Sequence, residues 1–155
     1  MKRSLAEIES HAANALRRHG LTEIAEETAS RCAWLEGVGY PGLKLLHEAL
    51  ADQQQGAELE KDVLGVDLKN VSAVFLAAKL NDLVRQQGRL FLRNVRHGLY
   101  LVPDSVRGNY GIGCPIDPAF PLGGERTKDP YAEKLETSAR EGVEVDDGVW
   151  QSLSH

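Results

Sequence analysis

The sequence predicts one α+β domain over residues 1–155, and three observations carry that prediction. Apolar residues recur at three-and-four spacing through the first third of the chain, the period of an amphipathic helix. Two short β-prone segments, RLFLRNV and GLYLVP, follow Gly88 and read as a hairpin. Five prolines and five glycines then crowd residues 103–130, a density that no regular element is expected to survive. A chain of 155 residues that is 42% hydrophobic and 26% charged has the composition of a globular protein able to bury a core without disulfides.

Taken in order, Ser4 and Glu7 form the Ser-x-x-Glu capping box of a first helix, with Leu5, Ile8, Ala12, Ala15 and Leu16 on one face and Gly20 as its stop. Thr22 caps a second helix, with acids in its first turn and Ile24, Thr28, Cys32 and Leu35 along one stripe; Gly37 and Gly39 end it. Pro41 opens a third, with Leu43, Leu46 and Leu50 inward, so residues 1–51 read as a helical module. The polar stretch 52–62 reads as a surface connection too short to separate domains. Asn70 is the expected cap of a fourth helix, from Val71 to about Gln87, whose first three turns offer almost no polar face and which is therefore expected to be buried, within the molecule or at an oligomer interface. The hairpin closes residues 70–102, joined around Arg96, His97 and Gly98, with Pro103 behind it. After the Gly/Pro-rich loop, residues 131–155 give a last helix, YAEKLETSARE, and an acidic tail in which Asp146 and Asp147 read as a helix cap.

Charge and composition narrow the function. The start, MKRSLAEIES, lacks the apolar run of a secretory signal, and the longest nearly apolar stretch, Val71–Ala78, is far shorter than a bilayer span; the expectation is a cytoplasmic protein without a membrane partner. Cys32 and Cys114 are too few for a disulfide framework. The net charge is −5, yet residues 85–107 carry Arg85, Arg89, Arg93, Arg96 and Arg107 against Asp104 alone, with Phe91 and Tyr100 interleaved. Such a stretch suits an anion or a single strand of nucleic acid. In an acidic protein the expectation is instead that these arginines face acids or solvent, and no nucleic-acid partner is expected. The five histidines show no metal-ligand spacing, and no dinucleotide or P-loop motif is present, so no metal and no cofactor are expected.

The Gly/Pro-rich loop is the place to look for a site, because long structureless loops in compact domains tend to carry function. The candidate ligand-binding residues are Arg107, Asn109, Tyr110, Gly111, Gly113, Cys114 and Arg126. The glycines could turn successive backbone amides toward a small anionic ligand, with the two arginines adding charge; the competing reading is that they serve turns needing positive φ. Cys114 lacks a sequence-local base or cation, its nearest charged neighbour is Asp117, and Pro115 removes an amide, so it reads as a small buried residue in a braced bend and no catalytic residue is assigned.

The stretch SLAEIESHAANALRRHGLTEIAEETASRCAWLEGVGYPGLKLL, Ser4–Leu46, resembles the N-terminal helices of the malate and L-lactate dehydrogenases that are unrelated to the Rossmann-fold enzymes. It looks still more like a bacterial family of short proteins, a domain of unknown function, that shares this opening. In the dehydrogenases the second helix ends in a Gly-x-x-Ser-His-Gly turn whose histidine serves in catalysis. Here the matching positions are Gly37, Val38, Gly39, Tyr40, Pro41 and Gly42, and proline stands at the histidine's place. The chain is also about half the length such an enzyme needs, so the cofactor-binding part is expected to be missing. What the resemblance implies is a non-catalytic binding or assembly module, expected to be a homo-oligomer, that keeps an enzyme's helical domain; the alternative is a small enzyme with its site at the hairpin and the Gly108–Cys114 loop.

Overall fold

The computed structural model describes residues 1–52, 60–62, 65–126 and 128–154. In chain order the elements are β1 (Lys2–Arg3), α1 (Leu5–Arg18), α2 (Ala25–Gly37), α3 (Gly42–Asp52), β2 (Glu60–Asp62), β3 (Gly65–Asp67), α4 (Ala73–Gln87), β4 (Arg89–Arg93), α5 (Val102–Arg107), β5 (Tyr110–Ile112), β6 (Ala119–Glu125), α6 (Ala132–Glu141), β7 (Val143–Glu144) and α7 (Asp147–Ser152), with 3-10 turns at Thr22–Ile24 and Gly98–Leu101. The fold is α+β, as the sequence predicts. Two compact units are resolved: Met1–Asp52 together with Pro130–His155, and Gln53–Asp129.

The first unit is built by local rules. The Glu7 amide donates to the Ser4 hydroxyl at 3.1 Å, and the Ser4 amide donates to the Glu7 carboxylate at 3.0 Å, so the predicted capping box opens α1. Its far end closes where Gly20, at φ +80°, lets the Leu21 amide donate back to the Leu16 carbonyl at 2.9 Å. Nine of the 13 residues of α2 are buried, which makes it the central helix, with α1, α3 and α6 against it. Close approach at its exit demands glycine: a Cβ on Gly42 would stand 2.5 Å from the Cys32 carbonyl oxygen. The tail docks on this helical core. β7 pairs antiparallel with β1, Asp146 caps α7 by accepting from the Val149 amide at 2.9 Å, and the Trp150 ring stacks on His11 with centroids 3.8 Å apart.

The second unit is a five-stranded sheet, in the order β2-β3-β4-β6-β5, with α4 across one face. β3 and β4 run parallel, and α4 is the crossover that such a pair requires. Val66, Leu90, Leu92, Phe120 and Leu122 point inward from the strands and meet Ala73, Leu76, Ala77, Leu80 and Val84 of the helix. The expected buried fourth helix is therefore present, with two corrections. Its cap is Ser72, whose hydroxyl accepts from the Val74 amide, whereas Asn70 lies in a left-handed turn at φ +64°. Phe75 is only half-buried, and Leu80, fully buried, is the central residue.

Larger corrections fall between Gly88 and Pro130. No hairpin joins RLFLRNV to GLYLVP. The first segment forms β4, but its partner is β6, with Leu90 opposite Leu122 and Leu92 opposite Phe120. GLYLVP is a 3-10 turn that runs into α5, and Pro103, read as closing the hairpin, sits in the first helical turn. A short apolar run suits a buried helix as well as a strand, and Tyr100 and Leu101 are buried here in helical backbone. The Gly/Pro-rich stretch holds α5, β5 and β6 rather than an irregular loop. Pro121, in an inner strand, lies just past the last β5–β6 pair, Ile112 opposite Leu122, where its carbonyl accepts from the Gly113 amide at 2.9 Å. Of the predicted polar connection, residues 60–62 form β2, while 53–59 lie outside the described residues.

Candidate functional site

The predicted site residues separate into four groups. Tyr110 and Arg126 belong to a structural lock. The Ser105 hydroxyl, with Ser105 fully buried, donates to the Tyr110 carbonyl at 2.7 Å; Arg126 donates to the same carbonyl through Nε at 2.9 Å and to the Ser105 hydroxyl through Nη2 at 2.7 Å. The Tyr110 hydroxyl donates to Asn81 Oδ1 at 2.7 Å, tying β5 to α4. Arg126 is thus engaged in holding α5 against β5 and is not turned toward a guest. Arg107 and Asn109 are exposed at the end of α5, where Asn109 takes φ +54°.

Cys114 corrects the expectation of a shielded thiol: it is exposed, in a turn where the Asp117 amide donates to its carbonyl at 3.1 Å. A Gly-Cys-Pro sequence resembles a tight buried bend because all three residues are compact, but here only Pro115 is half-buried, and Ile116 is 81% exposed. Cys32, in contrast, is core.

Gly111 and Gly113 line a groove. Neither has a positive φ, so they do not serve the turns that the competing reading assigned to them, and the Gly113 amide donates to the Pro121 carbonyl at 2.9 Å within the ladder rather than toward an anion. Close approach accounts for Gly113, where a Cβ would stand 2.8 Å from Pro121 Cδ. The groove, about 290 Å³, is lined by Arg89, Gly111, Ile112, Gly113, Pro121 and Gly123. It lies on the sheet face opposite α4. There Phe91, 44% exposed, is paired with Pro121, while Arg89 is paired with Gly123 on the same face. The backbone shapes the arginine's seat: Gly123 and Gly124 have φ of +105° and +91°, and a Cβ on Gly124 would stand 2.9 Å from Arg89 Nε. The Arg89 guanidinium lies over that glycine and has no hydrogen bond or ion pair among the described residues.

Arg89, Ile112, Pro121 and Gly123 are the groove residues that sequence reasoning missed. The alternation in AFPLG, with Phe120 and Leu122 inward, was a usable strand signal hidden by its proline and glycines. The arginine surface is also smaller than the sequence suggests. Tyr100 is fully buried, and Arg93 is half-buried beside Asp67, whose carboxyl the Asn94 amide group and the Lys69 backbone amide hold below the usual carboxylate range.

Two other places bring polar groups together. At the end of β3 and β4 the chain closes the N-terminus of α4 on itself: the Ala73 amide donates to the Arg96 carbonyl at 2.8 Å, the Val74 amide to the Ser72 hydroxyl, and the Ser72 hydroxyl and His97 Nδ1 are 2.7 Å apart. No first-turn donor among these is open to an anion. In the first unit, the turn from Gly37 to Gly42 carries Pro41 exposed at its tip. Glu36 accepts from the Leu43 amide at 3.2 Å and so caps α3, and burial pushes its carboxyl above the usual range. The Tyr40 and Tyr131 hydroxyls meet at 3.0 Å beside it. Among the described residues no group of three His, Cys, Asp or Glu side chains is placed to hold a metal ion, and no helix is long and apolar enough to cross a membrane.

Comparison of the chain with protein-family models, with curated proteins and with solved structures finds no match.

Proposed function

We propose that this protein is a binding module rather than a catalyst, and that its guest is a small anion held on the bare sheet face of the second unit. The observation that carries the reading is the Arg89 guanidinium, without a partner among the described residues, lying on a glycine seat beside a groove of about 290 Å³. A cation in that position attracts an anion, and backbone without side chains gives it room to approach. The first unit is read as the supporting module, kin to the helical N-terminus of the dehydrogenases, with exposed Pro41 at the position of their histidine. A cytoplasmic setting and association between copies belong to the same reading.

Thermal shift against acetate, benzoate, citrate and phosphate tests it. At least one anion is expected to raise the melting temperature saturably in the native protein and not in Arg89→Gln. No shift with any of them, or an equal shift in the variant, overturns the reading. The exposure of Cys114 favours one second reading, an enzyme that uses this thiol. Its mark is an alkylation rate that rises with pH through an inflection below about pH 7, measured with Cys32 replaced by Ala.

A further inference from the structure

We infer that the guest of the Arg89 groove is a flat monocarboxylate with an apolar body, an arenecarboxylate or a compound of that shape. The inference rests on the placement proposed above and adds the chemical class. One arginine lines the groove, its guanidinium over the adjoining Gly124, and its planar fork matches the two oxygens of a carboxylate. A dianion would leave one charge without a partner on a protein of net charge −5, with exposed Glu125 directly after the Gly123–Gly124 pair. One wall is carbon, the ring of Pro121, and the rest is backbone of Gly111, Ile112, Gly113 and Gly123, the Ile112 side chain packing on the core of the other face. A floor without side chains admits a flat body lying on the backbone, and Pro121, with Phe91 paired to it on the same face, favours one that leaves water. The volume, about 290 Å³, sits at the small end of ligand sites and suits a guest of one ring or similar size.

Isothermal titration with benzoate, benzamide, acetate and phosphate, on the native protein and on Arg89→Gln and Arg89→Lys, tests the inference. Amide chemical shifts of Gly111, Gly113 and Gly123 locate any binding. Benzoate is expected to bind and to move those three amides. Benzamide, of the same shape but neutral, should not bind, and acetate should bind more weakly than benzoate by about tenfold or more, because it lacks the apolar body. Arg89→Lys keeps the charge but loses the fork and should weaken benzoate about tenfold. If phosphate binds through Arg89 and benzoate does not, the carboxylate inference is overturned while the anion site stands. If Arg89→Gln binds benzoate as the native protein does, or if no anion moves the three glycine amides, both fail.

Discussion

Both units use polar groups to close the fold, and they differ in what is left facing outward. In the first, helices pack on helices and polar side chains near the chain turns close the fold: Ser4 and Glu7 cap α1, Glu36 caps α3, Asp146 caps α7, and the Ser138 hydroxyl donates to the Gly37 carbonyl at 2.6 Å. In the second, α4 lies across one face of the sheet, and among the described residues Phe91, Pro121 and Arg89 face outward on the other. Charge divides similarly. The first unit holds 8 Lys and Arg against 14 Asp and Glu, and the second holds 10 against 9. What the difference teaches is where to expect recognition: a polar group already engaged in closing the fold is unavailable to a guest, so the open arginine on a bare face outweighs the more numerous acids of the helical unit.

Substitutions can break or sharpen that contrast, and the largest effect is expected in the second core. Leu80→Ala removes a fully buried side chain from the middle of α4 and should cost about 2–5 kcal/mol in urea unfolding. Phe75→Ala should cost less, since Phe75 is half-buried. Equal losses at the two positions would mean that a second copy covers Phe75 in solution, which a mass measurement by light scattering would then reveal.

Next comes the lock between α5 and β5. Ser105→Ala takes away one of the two donors to the Tyr110 carbonyl and the acceptor for Arg126 Nη2, and should destabilise by about 1–3 kcal/mol without altering anion binding at the groove. Loss of binding in a folded Ser105→Ala protein would instead place the lock within the binding site. A smaller effect, about 1 kcal/mol, is expected for Ser4→Ala in the first unit, where the capping box is exposed at the helix end. Circular dichroism with denaturant reads it.

The subtlest test is pH-dependent. Burial raises the Glu36 carboxyl above its usual range. At pH below the usual carboxylate value, near about pH 4, both folded and unfolded chains are protonated at this group and it imposes no penalty. As pH rises, the unfolded chain ionises first, and the folded state loses stability until Glu36 itself has ionised. Glu36→Gln keeps an oxygen to accept from the Leu43 amide and removes that charge. It should melt higher than the native protein at neutral pH, with the difference fading toward pH 4. An unchanged difference across that range would mean that the effect is packing rather than ionisation.

Much of the first unit was legible because its determinants lie within a few residues of one another. A capping box, a left-handed glycine and a three-and-four stripe each act over one or two helical turns, so Ser4, Gly20 and Asp146 could be placed without knowing what packed on them. The same locality failed at Asn70 and Ser72, both good cap residues two positions apart, because the choice depended on which could take an extended backbone while the chain around Asn94 and His97 turned back. The candidate site was half legible. Gly111 and Gly113 line the groove, whereas Tyr110 and Arg126 act as structure and Arg107, Asn109 and Cys114 are exposed outside its lining.

By itself the sequence determined the α+β class, the helical module, the apolar fourth helix and the capped tail, all of which follow from periodicity and caps that the chain carries locally. Only the tertiary structure decided that Leu90 and Leu92 pair with Leu122 and Phe120 rather than with GLYLVP, and that this pairing sets Arg89 opposite Gly123. The physical reason is that a strand's partner is chosen by which distant apolar face completes the core and by where a proline can be tolerated, and neither is written in the residues beside it.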